Sequence, residues 1–174
     1  FKWFYSDDDR HTVKSVEELL GIYYYSVGRG CNMLLNIGPD RRGLLPKKDK
    51  ENLLRFGAEI RRRFSKPVLS TVDFSHKDDT WRYDAGSGKS FFMDNVILQE
   101  DLRYGESIRR FRISIMPYTT GKYINIYEGY NVGHKAICQF PLIRAKEIVI
   151  QVLESDGKVR MRDIKVFRTS KQQG

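Results

Sequence analysis

The hydrophobic period of the chain changes once, near Ser65-Lys66-Pro67, and that change limits the possible folds more than any other feature. Before it, apolar residues recur at helical spacing; after it, they alternate at a spacing of two. Ser15-Val16-Glu17-Glu18 has the form of a capping box, with Ser15 as N-cap and Glu18 reaching back. Val16, Leu19, Leu20, Tyr23, Tyr24 and Val27 follow at 3/4 spacing, and Gly28-Arg29-Gly30 supplies the stop. Cys31–Ile37 is a short apolar run closed by Gly38-Pro39-Asp40, which reads as a strand covered on both faces. A second helix is predicted over roughly residues 47–64, with Leu53, Leu54, Gly57, Ile60 and Phe64 as its buried stripe. Helix, buried strand, helix is α/β grammar. Beyond Pro67, strands are predicted near 68–73, 90–99, 108–115, 122–128, 134–140, 146–153 and 159–167, separated by turns such as Thr120-Gly121-Lys122 and Asp156-Gly157-Lys158. Seven short strands without helical stretches predict an antiparallel sandwich or jelly roll. Its core should include Phe111, Ile113, Ile115, Ile124, Ile126, Ile148, Ile150 and Val152.

At 174 residues the chain can bury a proper core. It is too short for a complete (β/α)8 barrel, which needs roughly 250 residues. An aromatic content of 13% excludes intrinsic disorder. The net charge of +9 is shared by both halves, and its densest run, Arg61-Arg62-Arg63, falls at a helix C-terminus where cations suit the macrodipole. A nucleic-acid partner is therefore not expected, and no apolar stretch is long enough for a membrane span. Cys31 and Cys138 cannot build a disulfide framework and read as buried thiols. The opening Phe1-Lys2-Trp3-Phe4-Tyr5, apolar and aromatic with no polar lead-in, reads as a cut through folded sequence.

Residues that could carry chemistry are few. Asp7-Asp8-Asp9 reads as a solvated loop, and Asp40 reads as turn chemistry at a strand end. His11, His76 and His134 are isolated from one another and from Ser or Cys partners, and the glycines follow no phosphate-binding spacing. No metal or cofactor is implied.

One string is distinctive: Ser26-Val27-Gly28-Arg29-Gly30-Cys31-Asn32-Met33-Leu34-Leu35-Asn36-Ile37-Gly38-Pro39-Asp40, then Gly43-Leu44-Leu45-Pro46. With Trp3-Phe4-Tyr5 and Ser15–Leu19, it resembles the end of the catalytic barrel of α-L-fucosidases, glycoside hydrolase family 29. Glu100–Ile108 and Gly129–Lys135 resemble the β-sandwich that follows that barrel. The resemblance implies two domains. Residues 1–66 would be the last βα units of a (β/α)8 barrel, and residues 67–174 a galactose-binding-domain-like sandwich. It implies a retaining exo-α-L-fucosidase acting on fucosylated glycans, with an Asp nucleophile and a Glu acid/base about 5 Å apart. In the family both come from earlier barrel strands, so neither role transfers to a residue here. The fragment alone should be inactive and should associate with its missing barrel portion. The resemblance also implies a secreted, periplasmic or lysosomal protein. One site residue carries over: Trp3 matches the aromatic at the end of strand seven that lines the fucose pocket. A large aromatic face suits the apolar C5–C6 edge of a 6-deoxy sugar.

A second reading makes the sandwich a carbohydrate-binding module without catalysis. Its candidate contacts are Trp81, Tyr83 and Tyr130, with Arg82 or Lys135 as donors.

Overall fold

The computed structural model describes Tyr5 and residues 13–170. Helix α1 spans Val16–Tyr25 and α2 spans Lys47–Phe64. Eight strands follow: β1 (Leu69–Ser70), β2 (Ser75–Lys77), β3 (Thr80–Asp84), β4 (Phe91–Glu100), β5 (Ile108–Pro117), β6 (Ile124–Tyr130), β7 (Ala136–Ser155) and β8 (Met161–Phe167). The capping box forms as expected: Glu18 N–H donates to Ser15 Oγ at 3.1 Å, and Ser15 N–H donates to Glu18 Oε2 at 2.7 Å.

All strand pairs are antiparallel, in the order β1-β8-β4-β7-β3-β2, with β5 joining β7 and carrying β6. β7 is shared by two half-sheets. Its first half pairs with β4 as far as Ala145, and its second half lies between β3 and β5. Val96, Leu98, Ile164 and Val166 from one half-sheet share a core with Phe111, Ile113, Ile115, Ile148 and Ile150 from the other. Ile113 faces Ile150 and Ile115 faces Ile148 across the ladder, all fully buried. Cross-strand aliphatic pairs of this kind are what make a pleated surface cohere. Gly129 lies opposite Phe111, and a Cβ there would stand 2.6 Å from the Phe111 ring, so the approach requires glycine.

Several expectations are corrected. The two strands expected at 134–140 and 146–153 are one strand of 20 residues. Pro141 interrupts its alternation, but it sits where the β4 register slips between Met93 and Asn95, a bulge that needs no amide donor. Ile124 is 47% exposed because β6 is an edge strand, whereas Ile126 and Val152 are partly buried against the core. Residues 31–37 form no strand. Leu34 is 94% exposed and Cys31 is exposed, whereas Cys138 is buried. Leu54 is also exposed; the inward side of α2 is Leu53, Phe56, Gly57, Ile60 and Phe64, all half-buried.

The helices lie on the outer face of the β4–β7–β8 half-sheet. Ile97, Ile137 and Phe167 point away from the shared core and meet Tyr23, Tyr24 and Phe64. Phe64 meets Phe167 edge-on at 5.3 Å. Arg62 and Arg63, in the basic run at the C-terminus of α2, bind Glu59, and Arg62 also donates to the Thr169 carbonyl at 3.0 Å. Residues just after α1 touch the sheet directly: Ile137 N–H donates to Gly28 O at 2.9 Å, and Arg29 bridges Ala136. A side chain on Gly28 would collide with Tyr24 O at 2.4 Å. No described helix is long and apolar enough to cross a membrane.

Candidate functional site

Trp3, Asp7-Asp8-Asp9 and His11 lie outside the described residues. The structure does describe the segment that follows α1 and ends at Asp40. Asp40 Oδ1 accepts from the amides of Arg42 (2.9 Å) and Leu44 (3.1 Å), and its Oδ2 accepts from Arg42 Nε (3.1 Å) and Nη2 (2.7 Å). Gly43 turns the chain with φ +75. The Arg42 guanidinium and these amides hold the Asp40 carboxyl below the usual carboxylate range. With both oxygens committed to its own turn, Asp40 is an anchor and not a base, in line with the turn chemistry read from Gly38-Pro39.

The second set of candidates does not assemble into a site. Trp81 is buried in the shared core, with exposed His76 stacked on it at 4.3 Å. Tyr83 packs between Phe74 and Phe91, at 6.2 and 5.4 Å. Arg82, between them in sequence, faces the opposite side of the strand, as alternation demands. There it binds Tyr123 Oη at 2.7 Å and Glu147 at 3.4 Å. Tyr123 also donates to Glu147; burial and this carboxylate push its hydroxyl up to about 12. Tyr130 is exposed, and Lys135 is partly buried, its ammonium held below its usual range by burial and by Lys165 and Arg162. The outward surface of β5 and β6 carries ion pairs: Arg110 with Glu128, Arg110 with Glu154, and Arg112 with Glu128. Such a surface does not offer the open aromatic face on which a pyranose stacks.

Two buried acids were not singled out by the sequence. Glu100, 1% exposed, accepts at Oε1 from Ser107 N–H (2.8 Å), Ser107 Oγ (3.0 Å) and Ile108 N–H (3.1 Å), and at Oε2 from Gly133 N–H (2.8 Å). It thus ties together the two sandwich segments that carry the family resemblance. Asp94 accepts from Asn95 Nδ2, from the amides of Thr169 and Ser170, and from Ser170 Oγ. Burial alone would raise its carboxyl, but these donors outweigh burial and hold it below its ordinary value. An acid set among apolar strand residues, Glu100 at the end of β4 and Asp94 within it, is the trace they leave in the sequence.

Asp94 opens onto a groove of about 770 Å3 between the helices and the sheet, lined by Val16, Leu20, Arg55, Glu59, Phe140 and Leu142 among others. Glu59 there is held at about 2, chiefly by Arg62 with Arg63 adding, against the opposing effect of burial. A retaining glycosidase needs one free nucleophilic carboxylate and one raised acid flanking the sugar. Glu59 and Asp94 are both lowered and saturated, which suits neither role. No group of three or more His, Cys, Asp or Glu among the described residues could hold a metal.

The family model described as α-L-fucosidase matches residues 1–62. A candidate α-L-fucosidase 1 of rice (Oryza sativa subsp. japonica) is 28% identical over 184 residues, covering 86% of this chain and 34% of that protein. Among solved structures, a candidate α-L-fucosidase of Bacteroides thetaiotaomicron is 30% identical with a TM-score of 0.86, covering 96% of this chain and 37% of that one. A glycoside hydrolase 29 family member from an unknown rumen bacterium is 25% identical with a TM-score of 0.87, covering 97% of this chain and 31% of that one. The chain spans about a third of the length of the curated relatives it matches.

Proposed function

The chain belongs to the α-L-fucosidase family, glycoside hydrolase family 29, and on that premise we propose that it is the C-terminal portion of a retaining exo-α-L-fucosidase. The whole enzyme would hydrolyse terminal α-L-fucose from fucosylated glycans. In this reading residues 1–66 complete a (β/α)8 barrel whose other strands supply the nucleophile and the acid/base, and residues 67–174 form the sandwich behind it. The observation that carries the reading is the joint match. The family model covers residues 1–62, and the solved family members superpose on nearly all of the rest.

The geometry supports a division of labour. The segment from Cys31 to Ile37 has a strand's apolar content but forms no strand among the described residues, which fits a barrel strand whose neighbours lie elsewhere in the polypeptide. The helices flanking it are docked on the sandwich through Tyr23, Tyr24 and Phe64. The sandwich would therefore hold the last barrel helices at fixed positions, and with them the segments that reach the sugar. Trp3 would supply an apolar wall for the C6 methyl of fucose, at the strand end where barrel enzymes place site residues. Fucose-bearing glycans outside the cell or in the lysosome would be its substrates.

Trp3→Ala in the longer polypeptide tests the pocket assignment. A methyl-sized contact is worth on the order of 1–3 kcal/mol, so kcat/KM for an aryl α-L-fucoside should fall ~10–200-fold, with weaker discrimination against galactosides. A folded variant with unchanged kcat/KM would make Trp3 a packing residue only.

A further inference from the structure

The arginines in the ion pairs described above each face a carboxylate. Arg144 and Arg168 have none among the described residues. Arg144 lies over the Tyr118 ring at 3.8 Å and 5.7 Å from the centre of the Phe92 ring, and Arg168 lies over Phe92 at 5.1 Å. Arg144 Nε donates to Ser90 Oγ at 2.9 Å. That bond and the two rings fix the plane of its guanidinium, while neither of its terminal nitrogens has a hydrogen-bond partner among the described residues. Phe92, Tyr118 and Leu142 around it are each about two-fifths exposed, at 40, 42 and 43%. The patch is continuous with the groove at Leu142, on the same face of the sheet as the helices.

A stacked guanidinium keeps its in-plane N–H edge free, and that fork matches the two oxygens of a carboxylate or sulfate group. Holding it flat in advance removes much of the entropy cost that a free arginine meets on binding. We propose that Arg144, with Arg168 beside it, binds the oxyanion of a negatively charged saccharide, a sulfate ester or a uronic carboxylate. Phe92, Tyr118 and Leu142 supply apolar edges for the C–H face of the sugar ring. A nucleic acid fits less well, because guanidiniums already cover ring faces on which a base would stack. The oxyanion chemistry follows from the arginines and rings themselves, while the choice of a saccharide rests on the glycosidase reading above.

The test is 15N NMR of arginine Nε–Hε signals in the 174-residue chain, titrated separately with a fucose sulfate ester, glucuronate, neutral fucose, inorganic sulfate and a single-stranded oligonucleotide. The sulfated and carboxylated sugars should shift Arg144 and Arg168, and neutral fucose should not. Arg144→Gln should weaken binding at least roughly tenfold, the size of one lost charge-assisted hydrogen bond. Arg144→Lys, which keeps the charge but not the fork, should recover only part of it. Arg61→Gln, at the exposed end of α2, should bind as the parent does. No shift with any anion, or full recovery by Arg144→Lys, would overturn the site. Inorganic sulfate or the oligonucleotide binding as tightly as the sulfated sugar would overturn the saccharide assignment. Since the readout is binding and needs no hydrolysis, failure of the enzyme reading would leave this result interpretable.

Discussion

Glu100 is the residue whose loss should be felt most in the sandwich. Its carboxylate, buried at the end of β4, receives three backbone amides and one hydroxyl from two separate loops. Glu100→Ala leaves the amides of Ser107, Ile108 and Gly133 without an acceptor. A buried donor stranded in this way costs about 1–3 kcal/mol. The three together should cost roughly 3–6 kcal/mol once local relaxation lets water reach some of them. Glu100→Gln is the sharper variant because its volume is unchanged. Its carbonyl can take the Oε1 place, but its amide then turns a donor toward Gly133 N–H, and the charge assistance to the other donors is lost. That should cost about 2–3 kcal/mol, or a fall in Tm of roughly 4–12 °C for a chain of this size. Thermal and urea unfolding of the 174-residue chain measure both. A fall below about 2 °C in both variants, with an unchanged urea slope, would refute the claim that this carboxylate holds the loops together.

Two further outcomes follow from the same structure. Ile150→Ala removes a fully buried side chain between Ile113 and Trp81 and should cost roughly 2–5 kcal/mol by urea unfolding, whereas Ile124→Ala on the exposed edge should change stability little. Glu59, held at about 2 when folded against an ordinary 4.5, contributes stability that is present above pH ~4.5 and lost as pH falls toward 2. Near-UV circular dichroism of the tyrosines around Phe64 should report that loss over this acid range. In Glu59→Gln the part of the transition due to this residue should be absent, and an identical acid transition in both proteins would contradict it.

Much of this fold could be read from residues whose structural causes are local. The Ser15/Glu18 box fixes the start of α1, and the strict alternation around Ile113 and Ile150 fixes which face of β5 and β7 is buried. What escaped depends on distant partners. Pro141 breaks the pattern of β7, because one strand there crosses from one half-sheet to the other through a bulge. Cys31–Ile37 has the composition of a buried strand, yet it forms no strand among the described residues and Leu34 stands in solvent. The hairpin of β2 and β3 is masked because Trp81 and Tyr83 look like surface aromatics until Ile150 and Phe91 are seen beside them. For the candidate site, Asp40 was legible as a turn residue, while Glu100 and Asp94 were not, since each is completed by donors distant in sequence, Gly133 for Glu100 and Thr169 and Ser170 for Asp94.

The central proposal is that this chain is one portion of an α-L-fucosidase whose catalytic carboxylates lie outside these 174 residues. Release of fucose from an aryl α-L-fucoside, compared between the 174 residues alone and the same chain with its preceding polypeptide, tests both halves at once. The longer polypeptide should release fucose with retention at the anomeric carbon, and the isolated chain should release none. Hydrolysis by the isolated chain, or its absence from the folded longer polypeptide, would contradict the account.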